Sequence, residues 1–235
     1  MRIALISDIH GQRVALDAVL ADIAEAGADR IVCLGDVAAL GPEPKACVAR
    51  LRDLGCACVM GNADAALFEP PDPPGDERMA KIADLFDWCR DQLDDDDIAL
   101  LKSFRPSLTA GWILCCHGSP RSFDDVIEAD TDDTALAAFL DGVEQPWVAG
   151  GHTHRQLLRR LGTRTFVNPG SAGMPFTVDP ATGARTCRWH GEYALATEDG
   201  VEFRRVAIDR DAALAAVRAA DMPHRDWWLG WWERA

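Results

Sequence analysis

Two histidines, one residue apart, follow the point where a short apolar run ends. The run WVA at 147–149 is followed by two glycines and then by His152 and His154, and Asp8 and His10 have the same spacing after the first apolar run. Residues two apart in an extended strand point to the same side, with Cα atoms roughly 6.5 Å apart. The two pairs therefore suit metal ions about 3.5 to 4 Å apart, with His152 and His154 on different ions.

Three further apolar runs also end in residues that bind metals, namely Asp36, Asn62 and His117. In open α/β sheets ligands gather at the carboxyl ends of the strands, so one crevice is expected to hold all of these side chains. A single histidine or aspartate at such a position is more often a hydrogen-bonded residue or a helix cap. Seven at the same place in the strand pattern indicate a metal centre: Asp8, His10, Asp36, Asn62, His117, His152 and His154.

The ligand types indicate which metals such a centre takes. Imidazole and oxygen ligands predict two divalent metal ions, with Mn²⁺ first and Fe, Zn²⁺, Co²⁺ or Ni²⁺ as alternatives. Gly150 and Gly151 carry no Cβ and are expected to let the backbone approach the ions closely.

The first sixty residues alternate between strand and helix patterns. The apolar runs RIALIS, RIVCLG and CACVMG are separated by helical periodicity over 12–27 and by a helix that begins near Pro42. Both helices stop at a glycine, which is typical of a helix C-terminus. This order predicts parallel strands joined by right-handed crossovers.

Later segments add a proline-rich stretch, an acidic run and antiparallel hairpins. Residues 69–77 (EPPDPPGDE) are expected to form a stiff loop, and the acidic run at 91–97 predicts a solvated turn and a helix N-terminus rather than a calcium loop. The helix between them is predicted to carry its apolar residues on one face: Met79, Ile82, Ala83, Phe86 and Leu93. Beyond Ser107 we predict a hairpin around Ala110-Gly111, a helix over 132–141 and turns at Gly162-Thr163 and Asp199-Gly200.

Composition narrows the class of protein. A length of 235 residues favours one domain over 1–235, and a formal net charge of -14 argues against a nucleic-acid surface. No apolar run reaches about 18 residues, and Asp8 comes too early for a signal sequence, so we expect a cytoplasmic protein with no membrane contact. Eight cysteines without a CxxC pair predict buried, reduced thiols rather than disulfides or a thiolate zinc site.

The C-terminal segment holds half of the eight tryptophans, at 227, 228, 231 and 232. On a helix these residues form one broad aromatic face. The pattern predicts that a C-terminal helix and the tryptophan-rich tail, 209–235, dock on the domain; a homodimer surface and a lid over the site are the alternatives. His190 and His224 lie outside every motif and are expected to be ordinary hydrogen-bonded residues.

Six short motifs in chain order resemble those of the calcineurin-like metallophosphoesterases, and among these the small bacterial and archaeal phosphodiesterase branch. The motifs are DIHG (8–11), GDVAALGPEP (35–44), GNAD (61–64), HGSP (117–120), GGHTH (150–154) and NPGS (168–171). The resemblance implies an α/β fold class, a four-layer α/β/β/α sandwich of two mixed β-sheets flanked by helices. It also implies a dimetal site at one edge of the sandwich.

The resemblance further implies a role for each ligand. Asp8, His10 and His154 would bind the first metal, and Asn62, His117 and His152 the second. Asp36 would bridge both metals. Asp36, Asn62 and His117 are also the residues that we assign to catalysis.

The predicted activity is hydrolysis of a small phosphoester, most directly a phosphodiester. A hydroxide that bridges the two metals would attack phosphorus in line with the leaving oxygen, so neither Ser119 nor a cysteine is needed as a nucleophile. The alternatives are a phosphomonoesterase or nucleotide-cleaving enzyme with the same site, and a non-catalytic metal-binding scaffold like the retromer subunit that shares this fold. The complete ligand set favours an enzyme.

Two positions depart from the family pattern. Ala63 replaces the histidine of the common GNH motif, so the site lacks a residue that protonates the leaving group. Residues 38–41 lack the arginine found in protein serine/threonine phosphatases and diadenosine tetraphosphatases, which makes those two activities less expected. Asp64 is expected to orient the backbone or Asn62, and Arg155 is expected to contact the substrate phosphate or to lie on the surface.

Overall fold

The computed structural model describes residues 1–69 and 75–232, which contain twelve strands and eight helices. The strands are β1 (Ile3–Ile6), β2 (Arg30–Cys33), β3 (Ala57–Cys58), β4 (Leu108–Ala110), β5 (Ile113–Cys115), β6 (Trp147–Ala149), β7 (Gln156–Leu161), β8 (Arg164–Pro169), β9 (Phe176–Val178), β10 (Arg185–Cys187), β11 (His190–Thr197) and β12 (Gly200–Ala207). The helices are α1 (Arg13–Ala26), α2 (Pro44–Leu54), α3 (Asn62–Ala66), α4 (Glu77–Asp91), α5 (Asp95–Lys102), α6 (Asp133–Phe139), α7 (Arg210–Ala219) and α8 (Arg225–Leu229).

Two five-stranded mixed sheets form the centre of the molecule. The first has the order β12-β11-β1-β2-β3, with β1, β2 and β3 parallel and β11 antiparallel to both of its neighbours. The second has the order β4-β5-β6-β8-β7, with β5, β6 and β8 parallel and both edge strands antiparallel. Strands β9 and β10 form a separate hairpin.

Alternating side chains on the strands produce four layers. In β1, Leu5 packs between the two sheets, against residues such as Ile113 and Val167 of the second sheet. Ile6 faces the other way and packs with α1 and α2. On the far side of the second sheet, Phe166 packs against α6. The predicted α/β/β/α sandwich of two mixed sheets flanked by helices is therefore confirmed.

Several local predictions are confirmed by the elements. Helices α1 and α2 end at Gly27 and Gly55, both in the left-handed conformation. The acidic run forms a helix start, because the side chain of Asp94 accepts a hydrogen bond from the backbone N–H of Asp97 at 2.9 Å. The turn at Gly162-Thr163 joins β7 to β8 as predicted. Six of the eight cysteines are buried, and all eight are free.

Other boundaries differ from the predictions. Ala110 pairs with Ile113, so the hairpin loop is 111–112 rather than 110–111, and the last turn lies at 198–199 because Thr197 pairs with Gly200. The predicted helix over 132–141 is shorter and covers only α6. The central part of the predicted proline-rich loop, 70–74, lies outside the described residues.

The predicted apolar face of α4 is only partly buried. Helix α4 buries Leu85 and Cys89, whereas Met79 is exposed and Ile82 and Phe86 are partly exposed. The reason is that one side of α4 packs against the C-terminal segment, while the side with Ile82 and Phe86 borders an open cleft.

The C-terminal segment, through Trp232, packs on the body of the chain. Trp228 and Trp232 are buried in a cluster with Leu85, Met174 and Cys187. Trp227 and Trp231 are half-buried and pack edge to face, with ring centroids 4.6 Å apart. The four tryptophans therefore divide into an inner pair and an outer pair rather than forming one face.

No helix within 1–69 or 75–232 has both the length and the apolar composition that crossing a membrane requires.

The burial of Trp228 gives a stability prediction. We expect Trp228→Ala to lower the free energy of unfolding by about 3 to 5 kcal/mol, because a fully buried indole leaves a large cavity. Trp227→Ala is the matched control and should lower the free energy of unfolding by clearly less, since this side chain is half-buried. Urea unfolding monitored by circular dichroism measures both values, and equal losses would contradict the packing described.

Candidate metal centre

The loops at the carboxyl ends of the central strands bring the seven predicted ligands together. Strands β1, β2, β5 and β6 lead to Asp8, Asp36, His117 and His152, and Asn62 is the first residue of α3. Backbone hydrogen bonds join neighbouring loops, such as the 3.0 Å bond from Asp8 N to Gly35 O and the 2.9 Å bond from His10 N to Asp36 O. The ligand loops are thus fixed to one another through their backbones.

The backbone at the ligands is not extended, contrary to the premise of the spacing argument. Five of the seven have positive φ, between 49° and 68°: Asp8, His10, Asp36, His152 and His154. Left-handed conformations are uncommon for residues other than glycine, and they concentrate at functional sites because they carry strain. The side chains of each pair converge because the chain turns at these residues, and not because of strand alternation.

Asp8, His10 and His154 form one triad, whose potential ligand atoms all lie within 4.8 Å of one another. The two imidazole Nε2 atoms are 3.1 Å apart. Asp8 Oδ1 is 3.4 Å from Nε2 of His154 and 3.9 Å from Nε2 of His10. Three donor atoms therefore face one small volume.

Asp36, His117 and His152 form a second triad with the same spacing limit. Asn62 completes it, because its Oδ1 lies 3.0 Å from Nε2 of His117 and 2.9 Å from Nδ1 of His152. The structure thus assigns His152 and His154 to different triads, which is the division that the two-metal interpretation requires.

Asp36 faces both triads through one carboxylate oxygen. Its Oδ2 lies 3.6 Å from Nε2 of His10 and 3.4 Å from Nε2 of His117. Its Oδ1 accepts a hydrogen bond from the backbone N–H of Ala63 at 2.8 Å, which fixes the carboxylate plane. Asp36 has the position expected of a bridging ligand.

Backbone carbonyls orient three of the imidazoles. Nδ1 lies 3.2 Å from Ala39 O in His10, 2.6 Å from Leu34 O in His117 and 2.7 Å from Met174 O in His154. With the proton on Nδ1 donated to the carbonyl, the lone pair of Nε2 points into the centre. This arrangement is usual for histidines that bind metals.

The centre fits divalent cations by a test independent of sequence motifs. Asp8 Oδ1 is buried and has no hydrogen-bond partner within the described part of the chain. A buried carboxylate oxygen without a partner is costly, and so is a pair of imidazole lone pairs in close contact. Cations in the two triads would provide partners for the lone pairs of Asp8 Oδ1, the facing Nε2 atoms and Asn62 Oδ1.

The pKa values of several histidines in the centre are strongly shifted. Burial lowers the pKa of His10 and His154 to about 4. Burial also opposes protonation of His117, but the carboxylates of Asp36 and Asp8 outweigh it and raise the pKa of His117 to about 10. Burial raises the pKa of Asp8 as well. The neutral imidazoles of His10 and His154 keep their lone pairs available, which favours binding of a cation.

Asp64 supports the centre without facing it. Its carboxylate accepts hydrogen bonds from the backbone N–H groups of Asp36 and Val37, both at 2.8 Å. Burial, followed by the charge of Asp36, raises the pKa of Asp64 to about 7. The prediction that Asp64 orients the backbone is confirmed.

Comparison with known proteins agrees with this geometry. Residues 1–187 match the model of the calcineurin-like phosphoesterase superfamily domain. The chain belongs to that superfamily. It is therefore a metal-dependent phosphoester hydrolase, and the non-catalytic scaffold interpretation is not supported.

Individual relatives extend the likeness over most of the chain. The uncharacterized protein MJ0912 of Methanocaldococcus jannaschii is 29% identical over 191 residues, which are 74% of this chain and 76% of that protein. The crystal structure of a metallophosphoesterase from Sphaerobacter thermophilus is 29% identical, covers 95% of both chains and has a TM-score of 0.75. The hypothetical protein PH1004 from Pyrococcus horikoshii OT3 shares the fold, with a TM-score of 0.79 over 95% of this chain and 94% of that one at 20% identity.

A cleft of about 630 Å³ opens beside the two triads of this phosphoesterase. Its walls include Phe86 from α4, Phe176 from β9 and Trp231 from the C-terminal segment. Trp231 lies beyond the residues that match the family model, and its carbonyl accepts a hydrogen bond from Cys187 N at 2.7 Å. The tryptophan-rich segment therefore docks on the chain and at the same time forms part of the cleft wall.

Sequence reasoning missed two arginines of the cleft and considered a different one. Arg78 and Arg185 line it, whereas Arg155 is half-exposed and lies 3.5 Å from Glu128 in an ion pair. Arg78 and Arg185 belong to no motif, so no pattern in the sequence points to them. The two histidines outside the motifs are hydrogen-bonded as predicted, His190 near Glu192 at 3.3 Å and His224 near Asp84 at 2.7 Å.

The glycines before His152 have a packing role that the sequence did not indicate. A Cβ at Gly151 would collide with Ser7 Oγ and lie 2.8 Å from Asp8 Oδ2, and a Cβ at Gly150 would lie 2.9 Å from the ring of Phe166. These glycines permit close packing of the ligand loop against β1 and β8.

We expect Gly151→Ala to reduce metal affinity by about 10- to 100-fold, the range found when groups that support metal ligands are disturbed. The added methyl group displaces Ser7 and the Asp8 carboxylate. Isothermal titration of the metal-free protein with Mn²⁺ measures the effect. Gly200→Ala, at a position where an added Cβ meets nothing within 4 Å, is the control and should bind like wild type; equal affinities for all three proteins would contradict the assigned packing.

Proposed function

We propose that this phosphoesterase is a phosphodiesterase that holds two divalent cations, with Mn²⁺ first among the metals that imidazole and carboxylate ligands suit. The observation that supports the proposal is the placement of Asp36 Oδ2 between two separate ligand triads. A single-metal site would not need His152 and His154 in different triads.

The residues of the centre have separate roles. When bound, two cations supply positive charge to the phosphoryl oxygens and lower the pKa of water, so that hydroxide can attack phosphorus in line with the leaving oxygen. The carboxylate of Asp36 faces both triads. It is held there by the backbone N–H of Ala63, which donates to its Oδ1, and by the carboxylate of Asp64, which accepts from the backbone N–H of Asp36. Asn62 and His117 line the side of the centre next to Asp36 and are our further choices for catalytic residues.

No side chain of the centre is suited to act as a nucleophile itself. The hydroxyl group of Ser119 donates a hydrogen bond to Asp125. Burial raises the pKa of Cys115 to about 12 and also raises the pKa of Cys116, so both thiols stay protonated at neutral pH. Direct attack by water is the remaining route.

The absence of two family residues favours diesters over monoesters. Ala63 lines the cleft and offers no proton for the leaving group, and residues 38–41 (AALG) offer no guanidinium for the extra charge of a monoester. A diester carries one charge at phosphorus and needs less neutralisation. The nucleotide-cleaving alternative is supported by one observation, the presence of Arg78 and Arg185 in the cleft.

We also propose the wider setting of the protein. Residues 1–235 form one domain that acts in the cytoplasm on a small phosphoester, without a nucleic-acid surface or membrane contact. Eight free cysteines, six of them buried, support a reducing compartment, and the net charge of -14 opposes binding to nucleic acid. The inner tryptophans pack on the chain itself, so within the tryptophan-rich segment the half-buried pair Trp227 and Trp231 is the one that could face a second copy.

Hydrolysis by metal-reconstituted protein tests the proposal. We expect the Mn²⁺ protein to bind two ions per chain and to cleave bis(p-nitrophenyl) phosphate with a higher kcat/KM than p-nitrophenyl phosphate. Asp36→Asn should lose at least about 100-fold in kcat and bind fewer ions, because a bridging charge is removed. Asp141→Asn, at an exposed aspartate outside the cleft, is the control and should behave like wild type.

Two results would overturn the proposal. Binding of one ion per chain at saturation would exclude the two-metal centre. A clear preference for the monoester would replace the phosphodiesterase assignment with a phosphomonoesterase.

Leaving-group assistance is tested at Ala63. We expect Ala63→His to raise kcat for alkyl phosphodiesters more than for aryl diesters, since an alkoxide needs a proton and a nitrophenolate does not. Ala63→Gln adds a polar side chain of similar length without an acid of suitable pKa and is the control. An equal change for both substrate classes would argue against proton donation at this position.

A further inference from the structure

Two arginines from different parts of the fold line the same cleft. Arg78 lies in the first turn of α4, and Arg185 lies on β10. Within 1–69 and 75–232, neither forms an ion pair, although acidic residues outnumber basic ones by 38 to 24 in the chain. The acidic residue Glu128, which also lines the cleft, already lies beside Arg155. Both cleft guanidinium groups therefore have unused charge.

Arg185 is held close to the metal centre. Its guanidinium carbon lies 4.7 Å from the centroid of the Phe176 ring, and that ring lies 5.4 Å from the ring of His154. A guanidinium group stacked on an aromatic face keeps its N–H groups at the edge free to bind an anion. The hairpin that carries Arg185 is fixed to the C-terminal segment through the hydrogen bond from Cys187 N to Trp231 O.

The cleft is larger and more apolar than a single phosphate requires. Its volume of about 630 Å³ lies in the range of pockets for organic ligands. The aromatic side chains of Phe86, Phe176 and Trp231 line it together with the two arginines and the metal ligands. The cleft thus combines the candidate metal centre, which suits one phosphate, with an apolar wall for an organic group and separate arginines for another anion.

We propose that the substrate is a phosphodiester whose organic group carries a second phosphate, and that Arg185, assisted by Arg78, binds this second phosphate. The proposal rests on the phosphodiesterase function proposed above. The scissile phosphate lies at the ligand triads, the organic group packs on the aromatic wall, and the second phosphate receives hydrogen bonds from the guanidinium groups. Arg185 is accordingly a specificity-determining residue.

A matched pair of substrates tests this role. Thymidine 5′-(p-nitrophenyl phosphate) and its 3′-phosphorylated form have the same leaving group and the same nucleoside, and they differ only in the second phosphate. We expect the wild-type protein with Mn²⁺ to prefer the 3′-phosphorylated form by about tenfold or more in kcat/KM, the value of a charge-assisted hydrogen bond. Arg185→Ala should reduce that ratio towards one, mainly through KM, and Arg185→Lys should retain part of it.

The control variant removes a comparable interaction elsewhere. Arg210 lies over the ring of Trp189 at 5.5 Å, outside the cleft lining, and Arg210→Ala should leave the substrate ratio at its wild-type value. A folding defect lowers both rates of a variant without changing their ratio. Arg78→Ala should give a smaller reduction of the ratio than Arg185→Ala.

Three outcomes separate the possibilities. A wild-type ratio near one, or a ratio that Arg185→Ala leaves unchanged, would overturn the second-phosphate subsite while the phosphodiesterase function stands. The underlying function would be overturned if the metal-loaded protein cleaved none of the three diesters, that is, neither of the thymidine substrates and not bis(p-nitrophenyl) phosphate. The proposal is supported if wild type prefers the 3′-phosphorylated form, if Arg185→Ala abolishes this preference, and if Arg210→Ala retains it.

Discussion

The concentration of buried carboxylates and imidazole lone pairs at one sheet edge is the constraint on which the rest of the structure depends. Asp8 and Asp36 are both buried beside facing imidazole nitrogens, and Asp8 Oδ1 lacks a hydrogen-bond partner in the described chain. Such an arrangement repels itself without positive charge. The surrounding fold must hold these groups in place against that repulsion, and divalent cations of the kind that the family depends on would supply the balance.

The loops that hold the ligands are tied together by the NPGS motif, which contributes no ligand. The side chain of Asn168 donates a hydrogen bond to Gly151 O. The hydroxyl group of Ser171 donates to Asp8 O at 2.6 Å and accepts from Met174 N at 2.7 Å. Met174 O in turn lies 2.7 Å from Nδ1 of His154. One motif therefore positions ligands on two separate loops, the one after β1 and the one after β6, which gives a physical reason for its place after the last histidine motif.

The ligand positions could be predicted from sequence because strand ends are easy to recognise there. Each apolar run stops at a polar residue, and parallel pairing, such as Ile6 beside Cys33, brings the following residues to one edge. The left-handed backbone at His152 and His154 could not be predicted, because these side chains give no local signal for positive φ. What covers the apolar face of α4 could not be predicted either, because periodicity shows which face of a helix is apolar and not what packs on it.

The cleft wall was beyond prediction for a related reason. Phe86, Arg185 and Trp231 come from α4, the β9–β10 hairpin and the C-terminal segment, and they meet only through tertiary packing. The two central sheets fix the candidate metal ligands, whereas these peripheral elements form the surface that an organic group would contact in the proposed function. Chemistry and specificity are therefore encoded in different parts of the chain. Changes in the periphery can alter which phosphoester enters while Asp36 and the two triads keep their geometry.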